Sequence, residues 1–176
     1  MSSPSLDKFA SAVLADTGER DLITETASAG YGLGGKVPAL VAQPRTHEAV
    51  ARVLARASEA GLAVVPWGGG TSRRGGYPPA RYDVALSTTK LSGVVDFLRD
   101  DLTAIVGAGM TVSSLNSLTL PEGQTAGLDP PFSDRATVGG TIIADRSGPM
   151  RVRFGRARDR VMRMRVALAD GSTQTY

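Results

Sequence analysis

An α+β fold is the class the sequence predicts, and three stretches predict it. The apolar runs Ala39–Val41 and Leu62–Val65 flank a helical stretch opened by Thr46, which makes a right-handed βαβ unit. Tyr82–Leu86 and Thr103–Val106 read as further strands, the second entered through an Asp100-Asp101 turn. Val161–Leu168 alternates apolar and charged residues and ends at Asp170-Gly171, a hairpin turn signal. Parallel and hairpin elements in one chain fit the α+β class.

The elements follow in order. Leu6, Phe9, Ala10, Val13 and Leu14 carry helical spacing. Gly30-Tyr31-Gly32-Leu33-Gly34-Gly35 matches a dinucleotide-binding pattern by letter. That pattern should open a helix, whereas Lys36-Val37-Pro38 leads into a strand, so the stretch reads as a loop. Thr46 is the predicted N-cap of the next helix, with Glu48 in its first turn and Gly61 as its stop. Val50, Val53, Leu54, Ala57 and Ala60 form its apolar face. His47 falls in its first turn, the place of an exposed side chain rather than a catalytic base. Ser87–Leu91 is turn-prone and Val94, Val95 and Phe97 form a short apolar group. Thr111 caps a helix with Val112, Leu115 and Leu118 on one face, closed by Pro121-Glu122-Gly123. Met162, Met164, Val166 and Leu168 are expected on one face of the last strand, with Arg163 and Arg165 on the other.

Composition removes several chemistries. A chain of 176 residues suits one domain or two small subdomains. With no cysteine it has no disulfide, thiolate nucleophile, cysteine-ligated zinc or iron–sulfur cluster of its own. With His47 as its single histidine it carries no histidine-rich metal site, and a Ser-His-Asp triad is a poor fit. No metal is expected, and no catalytic residue is nominated. No stretch is apolar enough to cross a membrane, and the N-terminus lacks a basic-then-apolar leader, which predicts a cytoplasmic protein.

Net charge is only +3, yet eight arginines fall between Arg146 and Arg165. Such a run can mark nucleic acid. Without interleaved aromatics or a reading module it fits better a solvated face, an acidic partner or a ligand phosphate.

The densest concentration of unusual backbone is Val64-Val65-Pro66-Trp67-Gly68-Gly69-Gly70-Thr71-Ser72-Arg73-Arg74-Gly75-Gly76. Read as a buried strand that stops at a proline, it opens into glycines whose N–H groups can converge on an anion, with two hydroxyls beside them. A plain flexible turn is the bland alternative. Its place at a strand's carboxyl end, where ligand loops gather in α/β sheets, favours a site. A second stretch, Asp129-Pro130-Pro131 followed by Ala136-Thr137-Val138-Gly139-Gly140-Thr141-Ile142-Ile143-Ala144 and Ser147-Gly148-Pro149, again lets backbone approach a ligand. A glycine-relaxed helix packed on a strand explains that stretch equally well.

Six segments in order resemble the FAD-binding domain of the p-cresol methylhydroxylase / vanillyl-alcohol oxidase family. They are the helix from Thr46 with Val65–Ser72, Leu86–Leu91, Thr103–Gly109, Ala136–Gly140, Ser147-Gly148, and Arg158-Asp159 through Val166–Gly171. Within the family, Leu128–Pro131 and Ser147–Gly155 look most like the FAD-binding subunit of glycolate oxidase, which works with a second flavin subunit and an iron–sulfur subunit. The resemblance implies a two-subdomain FAD-binding fold of this type over residues 37–176, a small βαβ subdomain facing a second, mixed or antiparallel sheet with flanking helices, preceded by a helix and loop over 1–36, with FAD between the subdomains. Family members continue into another flavin-contacting segment and a substrate or cap domain, so this domain is expected to be incomplete at its C-terminus and the cap absent.

By the same resemblance, Pro66, Trp67, Gly68, Gly69, Gly70, Thr71 and Ser72 hold the FAD pyrophosphate, with Gly75 and Gly76 nearby. Thr137, Gly139, Gly140, Ser147 and Gly148 approach the flavin, and Val166 meets the adenine end. Some relatives attach FAD through a histidine in or near the first glycine loop; none stands there, which implies non-covalent FAD. The implied function is the FAD-binding module of a flavin-dependent 2-hydroxy-acid oxidoreductase, the flavin accepting a hydride from the acid or relaying electrons in a complex. The alternatives are a truncated, non-catalytic flavin-fold fragment serving in assembly, another oxidase module of the family, and a nucleic-acid binder using its arginines.

Overall fold

A computed structural model of the chain describes residues 4–18, 23–24 and 28–176; the remainder of the expected N-terminal segment lies outside the described residues. The chain divides into two compact units. One holds the described residues up to Trp67 together with Gly76–Lys90 and Arg163–Tyr176, and the other holds Gly68–Gly75 with Leu91–Met162.

The first unit is built on a four-stranded sheet of order β1-β2-β4-β3, from β1 (Ile23–Thr24), β2 (Leu40–Ala42), β3 (Val64–Trp67) and β4 (Val84–Ser87). β2 and β3 both run parallel to β4, and β1 is antiparallel to β2. Every residue of β2 and β4 is buried. Short apolar runs such as Leu40-Val41-Ala42 and Val84-Ala85-Leu86 are what a strand covered on both faces requires. Val41, Tyr82 and Ala85 form a core with Tyr31, Leu33 and Val65 against it. The Tyr82 hydroxyl donates to the Tyr31 carbonyl at 3.0 Å.

The expected βαβ unit exists as β2, α2 (His47–Glu59) and β3, with β4 lying between its two strands. β3 departs from the sequence reading twice. It starts at Val64 rather than Leu62 and runs through Pro66 to Trp67, with Pro66 opposite Leu86, and it is half-exposed rather than buried. Proline is tolerated because β3 is the sheet's edge and needs partners on one side only.

Thr46 caps α2 by accepting from the Ala49 N–H at 3.1 Å, and Gly61 ends it at φ +64°. The buried face of α2 is Ala49, Val50, Val53 and Ala57. His47 is half-buried in its first turn. α1 (Pro4–Thr17) buries Phe9 and Val13 and is fastened to α2 where the Arg56 guanidinium donates to both Asp16 carboxylate oxygens, at 2.7 and 3.1 Å. β7 (Arg165–Ala167) and β8 (Thr173–Thr175) form the hairpin signalled by Asp170-Gly171. Its strand is shorter than the alternation implied: Met162 precedes it at 84% exposure and Met164 is also exposed, so neither joins a buried face.

The second unit holds a separate hairpin, β5 (Val94–Leu98) and β6 (Thr103–Val106), paired antiparallel. Three helices follow: α3 (Val112–Thr119), α4 (Val138–Ile143) and α5 (Arg151–Phe154). Thr111 caps α3 through Ser114 N–H, and Thr137 caps α4 through Gly140 N–H. Met110, Val112, Leu115, Leu128, Val138 and Ala157 make the core, with Val106, Leu118, Ala126 and Ile142 packed on it. Among the described residues no helix is long and apolar enough to cross a membrane.

Candidate functional site

The glycine loop leaves β3 at Trp67 and belongs, from Gly68 to Gly75, to the second unit. Two close approaches fix it there. A Cβ built on Gly68 would stand 2.3 Å from Thr137 Oγ1, and one on Gly69 would stand 1.7 Å from the Arg135 carbonyl oxygen. Neither position admits a side chain, so glycine here is a packing requirement. The start of the loop therefore lies on the residues that lead into α4. Antiparallel bridging of Thr111 and Thr137, with Val112 N–H donating to Ala136 and Val138 N–H to Met110, holds that platform rigid.

The loop's polar groups are left open. Among the described residues, no N–H from Gly68 through Ser72 donates to a backbone carbonyl, and neither the Thr71 nor the Ser72 hydroxyl has a hydrogen-bond partner. Buried backbone donors are almost always paired, so a run of five left open in a half-buried loop at one strand end is a ready cradle for an acceptor. Gly70 supplies the bend at φ +68°. A small pocket opens here, lined by Thr71, Ser72, Pro130, Pro131, Phe132, Thr141 and Arg146. Neutral backbone donors, the two open hydroxyls of Thr71 and Ser72 and one guanidinium make an anion-binding lining.

The other predicted residues take varied places. Pro66, Trp67, Gly76 and Val166 belong to the first unit. Trp67 packs its ring 5.2 Å from that of Tyr31, and Val166 pairs with Gln174 in the hairpin. Thr137 is buried and acts as helix cap, while its neighbour Gly139 packs at Ala108, where a Cβ would come within 2.8 Å of the Ala108 Cβ. Gly140 supplies the capped N–H. Gly148 sits against Asp129, whose carboxylate also accepts from Met150 N–H at 3.0 Å, and Ser147 lies between this anchor and Arg146. Thr71 and Ser72 reach the pocket directly, whereas Thr137, Gly139 and Gly140 serve in its supporting wall.

Phe132 and Arg146 line the pocket without having been singled out in the sequence, and Thr141, inside the second glycine stretch, lines it without having been named as a site residue. Thr141 follows Thr137 by one helical turn and donates its hydroxyl to the Thr137 carbonyl at 2.8 Å, a spacing that could have flagged it. Arg146 was visible only as one member of the basic run. Phe132 carries φ +59°, and the Arg135 guanidinium lies 5.1 Å from its ring centre.

With this geometry in place, comparison with known proteins is informative. Residues 38–176 match the family model described as an FAD binding domain. A D-lactate dehydrogenase of Archaeoglobus fulgidus is 34% identical over 75% of this chain and 29% of its own length. Glycolate oxidase subunit GlcD of Bacillus subtilis is 28% identical over 77% of this chain, again covering 29% of the relative. The chain thus spans less than a third of the length of these relatives. Among solved structures, alkyldihydroxyacetonephosphate synthase superposes with a TM-score of 0.84 at 21% identity, over 99% of this chain and 34% of that one. p-Cresol methylhydroxylase with bound substrate gives 0.77 at 17% identity, over 99% and 36%. Likeness at that identity speaks to fold, and the α+β architecture is theirs. The chain belongs to the FAD-binding domain family, in the fold of p-cresol methylhydroxylase.

Proposed function

We propose that this chain is the FAD-binding module of a flavin-dependent oxidoreductase acting on a 2-hydroxy acid, of glycolate-oxidase type, with the cofactor held non-covalently. The observation that carries the reading is the row of unpaired N–H groups from Gly68 to Ser72, flanked by the free hydroxyls of Thr71 and Ser72. These residues fit the pyrophosphate of FAD: consecutive neutral donors and two hydroxyls stand open beside the pocket, on glycines that let a ligand approach the backbone closely. Bound FAD supplies a two-electron acceptor for the hydroxy acid's hydride. This chain's own part is to bind and orient it. The N–H row takes the pyrophosphate oxygens, and the Thr137-capped α4 gives the loop a rigid floor. Non-covalent attachment is supported by the sequence of the loop, which holds no histidine: His47, the single histidine of the chain, stands in the first turn of α2.

The substrate class rests on the names of the relatives, which act on D-lactate or form part of glycolate oxidase. The expected partners are the other subunits of such an oxidase, a second flavin subunit and an iron–sulfur subunit. The test is anaerobic: FAD-loaded protein, with its co-purified subunits, is mixed in turn with glycolate, D-lactate and D-glucose while the flavin's visible band is followed. Bleaching by a hydroxy acid and not by the sugar is expected. Bleaching by glucose alone would move the module to another oxidase, and no bleaching by any acid would contradict the substrate class.

A further inference from the structure

We infer that Arg146 is the counter-charge for the FAD pyrophosphate, a specific ion-pairing residue that neither the glycine loop nor the family comparison supplies. This rests on the FAD reading above and deepens it. The N–H groups and hydroxyls of Gly68–Ser72 are neutral donors, and a doubly charged pyrophosphate taken out of water calls for a formal positive charge as well. Arg146 lines the same pocket as Thr71, Ser72 and Thr141. Its guanidinium makes no ion pair or hydrogen bond among the described residues.

The local backbone explains why that charge is left available. The nearest acid in sequence, Asp145, adopts φ +45°, pairs one carboxylate oxygen with Arg156 at 3.4 Å and keeps the other buried without a partner, so it makes no ion pair with Arg146. Aspartate tolerates that left-handed conformation better than most residues. Arg146 itself is fixed at its backbone, its N–H donating to the Thr141 carbonyl at 3.1 Å. The arginine is thus held at the pocket wall by the end of α4 while the adjacent acid pairs with Arg156 instead. A guanidinium suits the task because its planar fork matches paired phosphate oxygens.

The test compares Arg146→Gln, Arg146→Lys and Arg151→Gln, the last removing the same charge from an exposed arginine on α5 outside the pocket. Each is titrated with FAD by flavin fluorescence at low and high salt, with urea unfolding of each protein alongside. Arg146→Gln is expected to lose about tenfold or more in FAD affinity, as for a charge-assisted hydrogen bond, and to show a flatter salt dependence than the parent. Arg146→Lys should recover part of the loss, Arg151→Gln should match the parent, and the urea midpoints should coincide. Equal FAD affinity in Arg146→Gln and the parent overturns the assignment while leaving the FAD reading intact. A loss that Arg146→Lys does not restore, or that Arg151→Gln shares, overturns it too. A parent protein that takes up no FAD removes the functional reading itself, and this inference with it.

Discussion

The Cα of Gly69 is pressed so closely on the backbone of Arg135 that an added Cβ would lie 1.7 Å from the Arg135 carbonyl oxygen. The contact joins two stretches 66 residues apart in the chain and makes the loop and the start of α4 one structure. Because the obstacle is backbone, it cannot swing aside as a side chain would.

Gly69→Ala should therefore distort the loop. A destabilisation of about 1–3 kcal/mol is expected for such forced overpacking, with FAD affinity reduced about tenfold or more if that strain falls on the bound state. Gly75→Ala is the matched control: its φ is not in the left-handed region and its Cβ would meet only Ser72 carbonyl oxygen at 3.4 Å. Urea unfolding and flavin titration of both variants check the contrast.

Thr137 bears two loads, capping α4 through Gly140 N–H and standing where a Gly68 Cβ would go. Thr137→Ala should cost about 1 kcal/mol for the lost cap. Thr137→Ser keeps the hydroxyl and should recover most of that in the same denaturation series.

Much of this was legible in the sequence, for a local reason. Thr46, Thr111 and Thr137 each announce a helix because an N-cap is read within three residues of itself. The Gly30–Gly35 stretch was likewise settled locally: a short 3-10 turn over Ser28–Tyr31 ends inside it, Leu33 and Lys36 then bridge across a turn, and no α-helix opens from it. The errors arose where the answer lay elsewhere in the chain. Pro66 ends a strand only if both edges need partners, and nothing near residue 66 says that β3 is an edge. Met162 and Met164 alternate with arginines, yet what decides their exposure is whether another layer covers them. Arg146 looked like one basic residue among eight; only the fold brings it to Thr71 and Ser72.

Asp16 gives the fold an acid-sensitive fastening. The hydrogen bond from Arg56 holds its carboxyl below the ordinary 3.8, with the charges of Arg56 and Arg52 assisting. A group whose folded pKa is depressed contributes stability above its unfolded pKa and loses it as pH falls through the folded value. The α1–α2 fastening should thus be fully present at pH values above about 3.8 and fade below it. Urea midpoints measured down that range should fall more steeply for the parent than for Asp16→Asn, which has no carboxyl to protonate. Parallel curves would contradict the assignment.

Gly171 locks the β7–β8 turn onto α2. It sits at φ +83°, and a Cβ would fall 2.6 Å from the Ala55 Cβ and 2.7 Å from the Ala51 carbonyl oxygen. Strain and clash act together, so Gly171→Ala should destabilise by about 1–3 kcal/mol. Hydrogen exchange should show the loss concentrated in Arg165–Ala167 and Thr173–Thr175. Uniform loss of protection across the first unit would instead mean that the hairpin is not a separable element.

The most direct test of the central claim, that the open donors of Gly68–Ser72 hold FAD, is the visible spectrum of the purified protein followed by acid precipitation and identification of what is released. The account predicts a flavin spectrum, taken up from the cell or on addition of FAD, and free FAD in the supernatant. A folded, colourless protein that refuses added FAD would contradict it.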